Sequence, residues 1–322
     1  MDNQIIKLRS LTKCYGSFRA VNELDLTINK GEIFGLLGPN GAGKTTTILM
    51  MMGLTEPTYG TAHVCGFNAT KDPISVKRHV GYMPDSVGFY DNMTALENLM
   101  YIGELNGIPL SEVEGRALDA MRTVGLVGDV VHKKAAAYSR GMKQRLGLAE
   151  VLIKQPKVII LDEPTLGIDP SGVREFLSLI FQLSREKGLT VLLSSHHLYQ
   201  VQQVCDRVGI FVKGELLVEG NLNTLSDRVF AEKSYEVQVT LQNEVDLPWI
   251  DEQEILQWES VQKASVEGHV IEISSSKDVT PDIVRFFVEK GYDVTGVQKK
   301  EYGLEEIYQK YFESNLMENI SQ

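Results

Sequence analysis

The chain has 322 residues, 43% of them hydrophobic, and a formal net charge of −11. That length and apolar content support one large domain plus a smaller one, and exclude a chain that is disordered throughout. The acidic balance argues against a general nucleic-acid binder, which carries a basic stripe, but leaves room for a local basic patch.

Strands are expected first over Gln4–Ser10, Glu23–Ile28 and Glu32–Gly38, with a turn at Gly31 leading into the third. Glycine-rich GPNGAGK follows, then TTTILMMMGL, which reads as a buried helix. Short strands return over Thr61–Phe67 and His79–Pro84. From about Asp91 to Gln155 the periodicity is helical. Thr94 with Glu97, and Ser111 with Glu114, each have the spacing of a capping box. Lys157–Asp162 and Leu189–Ser195 are apolar strands, and between them Pro170 opens a helix that ends before Gly188. Alternating strands and helices imply a largely parallel sheet covered on both faces.

After Gly220 the pattern changes. SYEVQVTL alternates as a half-exposed strand, and VQKASVEGHVIEIS reads as a hairpin turning at Glu267–Gly268. A helix over Thr280–Tyr292, a strand over Asp293–Lys300 and a last helix over Gly303–Ser314 follow. With a short helix over Asp251–Gln257 the order is β-α-β-β-α-β plus a terminal helix, which resembles a small ferredoxin-like domain. Domains are expected over 1–225 (with a helical subdomain over about 86–155) and over 226–322.

Three cysteines, Cys14, Cys65 and Cys205, suit a reducing compartment better than a disulfide framework, and no pair has metal-ligand spacing. The opening MDNQIIKLRS lacks the apolar stretch of a signal peptide. No apolar run reaches the roughly 18 residues that span a bilayer. A cytosolic chain is expected, and any membrane role must come through a partner.

GPNGAGKT (Gly38, Pro39, Asn40, Gly41, Ala42, Gly43, Lys44, Thr45) fits G-x-x-x-x-G-K-[ST] between a strand and a helix. The glycines allow backbone shapes that turn several N–H groups inward around phosphate oxygens. The helix N-terminus adds partial positive charge. Lys44 is placed to neutralise the β- and γ-phosphates, Thr45 to ligate Mg²⁺, and Thr46 to bond a second phosphate. The loop implies binding of a nucleoside triphosphate and leaves the function open.

In KVIILDEP an apolar strand delivers Asp162 and Glu163 to its C-terminal edge, where open α/β sheets bind ligands. Asp162 is placed to hold Mg²⁺. Glu163, on the opposite side of the strand by alternation, is placed to act as general base on a water.

Tyr15, GPNGAGKT, VGYMPD, YSRGMKQRL, VIILDEP, LGID and SSHHL stand in the order and rough spacing of an ABC transporter nucleotide-binding domain, which residues 4 to 220 resemble. The resemblance implies a P-loop NTPase cassette: a mixed sheet core, an antiparallel β subdomain and a helical subdomain. It implies ATP and Mg²⁺ as cofactors. It also implies a head-to-tail dimer of two copies, or of this chain with a paralogue, and a separate transmembrane permease on the inner face of the cell membrane. No nucleic-acid partner is implied. In such a dimer Ser139 and Gly141, at a helix start, face the γ-phosphate held by the opposite subunit. Tyr15 stacks on adenine, Asp169 lies at the interface, and His196 contacts the γ-phosphate. Tyr15 is also readable as an edge-strand tyrosine, and Asp169 as the N-cap of the helix at Pro170.

Two positions depart from the family. Arg140 and Met142 replace the signature's usual Gly and Gln, a variation that resembles exporter subfamilies. Asp85 replaces the usual Gln, and it is expected to reach Mg²⁺ or the attacking water through a water molecule. The resemblance thus implies an ATP-hydrolysing transporter subunit of the drug or antibiotic exporter type. A soluble ABC ATPase acting on ribosomes or nucleic acid is the rival. It is disfavoured by the single cassette, the acidic balance and the 95 positions from Lys44 to Ser139 (139 − 44), which leave no long coiled coil.

Overall fold

A hairpin of two long strands, β1 (Gln4–Tyr15) and β2 (Phe18–Asn29), opens the chain. Both are longer than expected, because bulges interrupt the alternation that a sequence reading follows. The register shifts between Leu8 and Leu11, and Ser10 and Glu23 take left-handed φ values of 44° and 45°. Two further strands, β4 (Tyr59–Val64) and β5 (Phe67–Asn68), complete an antiparallel sheet in the order β2-β1-β4-β5. The structure is a computed structural model, and it describes residues 3–222, 224–225, 235–242, 255, 258–299, 304 and 308.

The second sheet holds β3 (Ile33–Leu37), β6 (Val80–Met83), β7 (Val158–Asp162), β8 (Thr190–Ser195), β9 (Arg207–Val212) and β10 (Glu215–Gly220). Its order is β10-β9-β3-β8-β7-β6, parallel from β9 to β6, with β10 antiparallel at one edge. Every residue of β3, β7 and β8 is buried. Their near-continuous apolar runs are those of parallel strands covered on both faces. Because these strands run the same way, the segments after β3, β6, β7 and β8 emerge at one edge.

Helices α1 (Lys44–Met51), α2 (Pro73–His79), α3 (Ala95–Leu105), α4 (Leu110–Thr123), α5 (Arg140–Leu152), α6 (Pro170–Lys187) and α7 (Leu198–Gln202) complete this part. The Thr94–Glu97 capping box forms in full at the start of α3. The Ser111–Glu114 box does not, since α4 starts at Leu110 with Pro109 as its N-cap and Ser111 already lies inside the helix. Helix α6 has Asp169 as N-cap, Pro170 in its first turn and Gly188 as a left-handed C-cap at φ 63°, with Arg185 and Lys187 facing the negative end of its dipole.

The chain divides into two compact units, Met1–Leu225 and Ser226–Gln322. In the second, β11 (Tyr235–Leu241), β12 (Val261–Glu267), β13 (Val270–Ser275) and β14 (Val294–Lys299) form an antiparallel sheet in the order β12-β13-β11-β14. Helix α8 (Thr280–Glu289) links β13 to β14. That strand order is the one a ferredoxin-like β-α-β-β-α-β chain produces. The hairpin turns at Gly268–His269, one residue later than expected, because Glu267 still pairs with Val270. Its core gathers Val237, Val239, Ile271, Ile273, Ile283 and Phe287. The helices expected over 251–257 and 303–314 lie outside the described residues, apart from Ile255, Leu304 and Tyr308.

Ile160 at the centre of β7 is fully buried in the same apolar cluster as Leu36, Leu192 and Phe211. Ile160→Ala removes packing that the sheet cannot close over, so urea unfolding should show a loss of about 2–5 kcal/mol.

Candidate functional site

The segment between β3 and α1 is built to bring backbone close to something. Gly41 and Gly43 have φ values of 80° and 106°, a region that residues with a Cβ avoid. Space is also short: a Cβ at Gly43 would lie 2.4 Å from the Ala20 carbonyl oxygen of β2, and one at Gly38 would lie 2.1 Å from that of Phe211 in β9. Pro39 accepts from the Ala42 N–H, which closes the turn, while Asn40 and Gly41 form its exposed tip. Gly43 then caps α1, so the first N–H groups of the helix face the concave side of the loop.

Lys44 is buried, and its Nζ donates to the Gly38 carbonyl at 2.7 Å and to the Pro39 carbonyl at 3.2 Å. The same ammonium lies 3.6 Å from Glu163 Oε1. Beside it, the exposed Thr45 donates its hydroxyl to Asp162 Oδ2 at 2.9 Å. Thr46 is half-buried on the next turn position.

Asp162 ends β7 and is 2% exposed. A carboxylate that deep requires donors, and it has two: Thr45, and Ser194 of the neighbouring strand at 2.5 Å from Oδ1. Glu163 does not follow the alternation of the strand. It stands just past the end of β7 with a left-handed φ of 48°, and its N–H donates to the Ser194 carbonyl. This turn, and not the pleat, aims its carboxylate at Lys44 and His196. His196 Nδ1 lies 2.9 Å from Glu163 Oε2, whereas Glu163 Oε1 is buried without a hydrogen-bond partner. The His197 ring sits 4.0 Å from that of His196 (centroid to centroid), and burial, with the neighbouring His196, lowers its pKa.

Five residues singled out from the sequence thus meet directly: Lys44, Thr45, Asp162, Glu163 and His196. Asp85 follows β6 on the same edge and is exposed. Burial, with smaller contributions from the charges of Asp162 and Asp85, pushes the Tyr82 hydroxyl up to about 12. Tyr15 ends β1, is 52% exposed, and carries the Lys13 ammonium 5.1 Å from its ring centre.

Ser139, Gly141 and Asp169 line a different cleft, of about 370 Å³, with Arg140, Arg145 and Gly167. Ser139 is the N-cap of α5, accepting from the Met142 N–H at 3.2 Å. Asp169 accepts from the Gly172 N–H at the start of α6, so its capping role is real whatever else it does.

Sequence reasoning missed Ser194 and Gln200. Ser194 is signalled only by a pair of small polar residues ending an apolar strand. Gln200 accepts from Thr165 at 2.7 Å across 35 positions, and nothing local announces it.

The residues fit a nucleoside triphosphate and a divalent cation. The cradle leaves no room for a Cβ at Gly38 or Gly43, Lys44 offers a charge on its wall, and the buried Glu163 Oε1 is an acceptor left over for a further donor. Among the described residues no three His, Cys, Asp or Glu cluster tightly enough to hold a metal by themselves, so a cation here would share its ligands with phosphate. Gly43→Ala should push the loop off the Ala20 carbonyl and abolish binding. Excess MgATP at one hundred times Kd should stabilise the parent protein by about 2.7 kcal/mol, read as a higher melting temperature, and leave the melting temperature of the variant unmoved.

Known proteins match this arrangement. Residues 21–166 match the family described as ABC transporter. The chain is 37% identical over 306 residues to the bacitracin transport ATP-binding protein BcrA of Bacillus licheniformis, covering 95% of this chain and 96% of that one. It is 36% identical over 243 residues to the linearmycin resistance ATP-binding protein LnrL of Bacillus subtilis, covering 76% and 78%. A bacterial ABC transporter cassette solved as a dimer superposes with a TM-score of 0.61 at 25% identity, over 67% of this chain and 98% of that one. The chain belongs to the ATP-binding proteins of ABC transporters, subunits that bind and hydrolyse ATP for transport.

Proposed function

We propose that this subunit drives an exporter of the drug or antibiotic type, acting on a separate transmembrane permease from the inner face of the cell membrane. The direction draws on the YSRGM signature and on relatives named for bacitracin transport and linearmycin resistance. Among the described residues no helix is long and apolar enough to cross a membrane, so in this reading the permease supplies the pathway. We read residues 1–225 as the ATP-binding domain and 226–322 as an accessory domain that supports dimerisation or regulation.

The single observation that carries the mechanism is the convergence of Lys44, Asp162, Glu163 and His196 at one sheet edge. The N–H groups of Gly41, Gly43, Lys44, Thr45 and Thr46 bind the phosphates, and Tyr15 stacks on adenine. Thr45 and Asp162, with Asp85 through a water, would hold Mg²⁺, which spreads the negative charge of the β- and γ-phosphates. Glu163 takes the proton of the water that attacks the γ-phosphorus while the bond to the ADP oxygen breaks. Before it accepts that proton, its carboxylate is oriented by the His196 ring and its charge is balanced by Lys44. His196 also reaches the γ-phosphate. Two copies pair head to tail, or one copy pairs with a paralogue. Ser139, the Gly141 N–H and Asp169 of each then complete the site of the other, as a helix start favours an anion.

Glu163→Gln should retain ATP binding and lower kcat by about 10²-fold or more; equal rates would remove the general-base assignment. Pull-down of tagged Glu163→Gln with ATP from detergent-solubilised membranes should recover a polytopic membrane protein in stoichiometric amount. Ribosomal or DNA-bound proteins in its place would support the rival soluble ATPase.

The shared site gives a separate test. Lys44→Ala and Ser139→Ala subunits should each be inactive alone. Mixed, they should regain activity, because one of the two composite sites in each heterodimer is intact. No gain on mixing would refute the head-to-tail arrangement.

A further inference from the structure

The signature departs from its family at Arg140, and the structure gives this side chain a definite place. Its Nε–H donates to the Leu166 carbonyl at 2.8 Å. Its guanidinium covers Gly167 so closely that a Cβ there would lie 2.5 Å from Nε and 2.7 Å from Cζ. Gly167 has a φ of 73°, a backbone conformation that favours glycine, so the guanidinium finds no Cβ in its way.

Leu166 and Gly167 belong to the segment that joins Glu163 to Asp169. That segment is held at few points. The Glu163 N–H bonds the Ser194 carbonyl, and the Leu166 N–H bonds the Glu163 carbonyl. The Ile168 N–H bonds the Thr165 carbonyl, and the Thr165 hydroxyl bonds Gln200. Arg140 adds a long-range tie, 26 positions away in sequence, and comes from the first turn of α5 beside Ser139. A guanidinium suits this place, because its Nε–H donates to Leu166 while its other atoms lie against the glycine. The residue usual here in the family, glycine, has no side chain to do either.

We propose that Arg140 is a positioning residue that locks the Leu166–Gly167 turn to the start of α5, so that Glu163 in one ATP site and Ser139 in the other move as one body. The coupling part rests on the head-to-tail reading above; the tie itself does not. Arg140 touches neither phosphate nor water in this account. It sets the backbone from which Glu163 is aimed, and displacements of about 1 Å in such groups cost up to 10²-fold in rate.

The test uses the full chain with Arg140→Ala, Arg140→Gly and Arg140→Lys. Hydrogen exchange of the protein alone should quicken at the amides of 165–168 in the Ala and Gly variants and stay slow elsewhere. Affinity for a fluorescent ATP analogue should stay within about twofold, because the phosphate loop is untouched. In ATPase assays KM should hold, kcat should fall about tenfold or more, and the Hill coefficient should drop from above 1 towards 1. Lys retains a donor but not the planar face, so it should recover part of the exchange protection and part of kcat. Unchanged exchange at 165–168 would overturn the tie. Faster exchange with kcat and cooperativity intact would overturn its role in aiming Glu163. Sedimentation of Glu163→Gln with ATP reports the dimer independently. If that protein stays monomeric, the head-to-tail reading and the coupling both fail, and the exchange data still decide the tie.

Discussion

Burying a carboxylate is the constraint on which this site depends. An ionised group in a low-dielectric interior costs several kcal/mol unless donors meet it. Strand β7 carries Asp162 to 2% exposure and places Glu163 beside it. The neighbourhood follows from that demand. Ser194 of β8 and Thr45 of α1 satisfy Asp162, while Lys44 and His196 face Glu163. The partners come from three places, α1, β8 and the segment after β8, so the acids act as the point to which all three are registered.

The parallel sheet makes this convergence possible. Strands β3, β7 and β8 are neighbours in space, though more than 100 positions separate β3 from the others. Because they run the same way, their C-terminal ends deliver the glycine loop, the acid pair and the histidines to one edge. The antiparallel β1–β2 hairpin then serves the loop from outside. The Ala20 carbonyl sits where any side chain at Gly43 would go, so the hairpin helps to enforce the shape of the loop.

Much of this was legible in the sequence, and for identifiable reasons. GPNGAGKT and VIILDEP are local: glycine positions and an apolar run ending in acids report their own backbone. The cap at Asp169 and the stop at Gly188 are local in the same way. Long-range facts were hidden. Nothing near Ser194 announces Asp162, and nothing near Thr165 announces Gln200. Strands β1 and β2 read short because bulges near Ser10 and Glu23 shift which face a residue occupies. The Ser111–Glu114 spacing misled because Pro109 starts the helix earlier than the box would. Glu163 misled for a subtler reason, since a left-handed glutamate has no sequence signature and alternation gave the wrong account of how it is aimed.

That left-handed glutamate also bears on how the protein withstands change. A non-glycine residue held at a φ of 48° stores conformational strain, and a mostly buried carboxylate adds desolvation to it. Both liabilities fall on the same residue, and glycine in its place would remove both while leaving the buried Lys44 ammonium without its counter-charge. The turn is thus held in its strained shape by the ion pair that the strained residue itself makes.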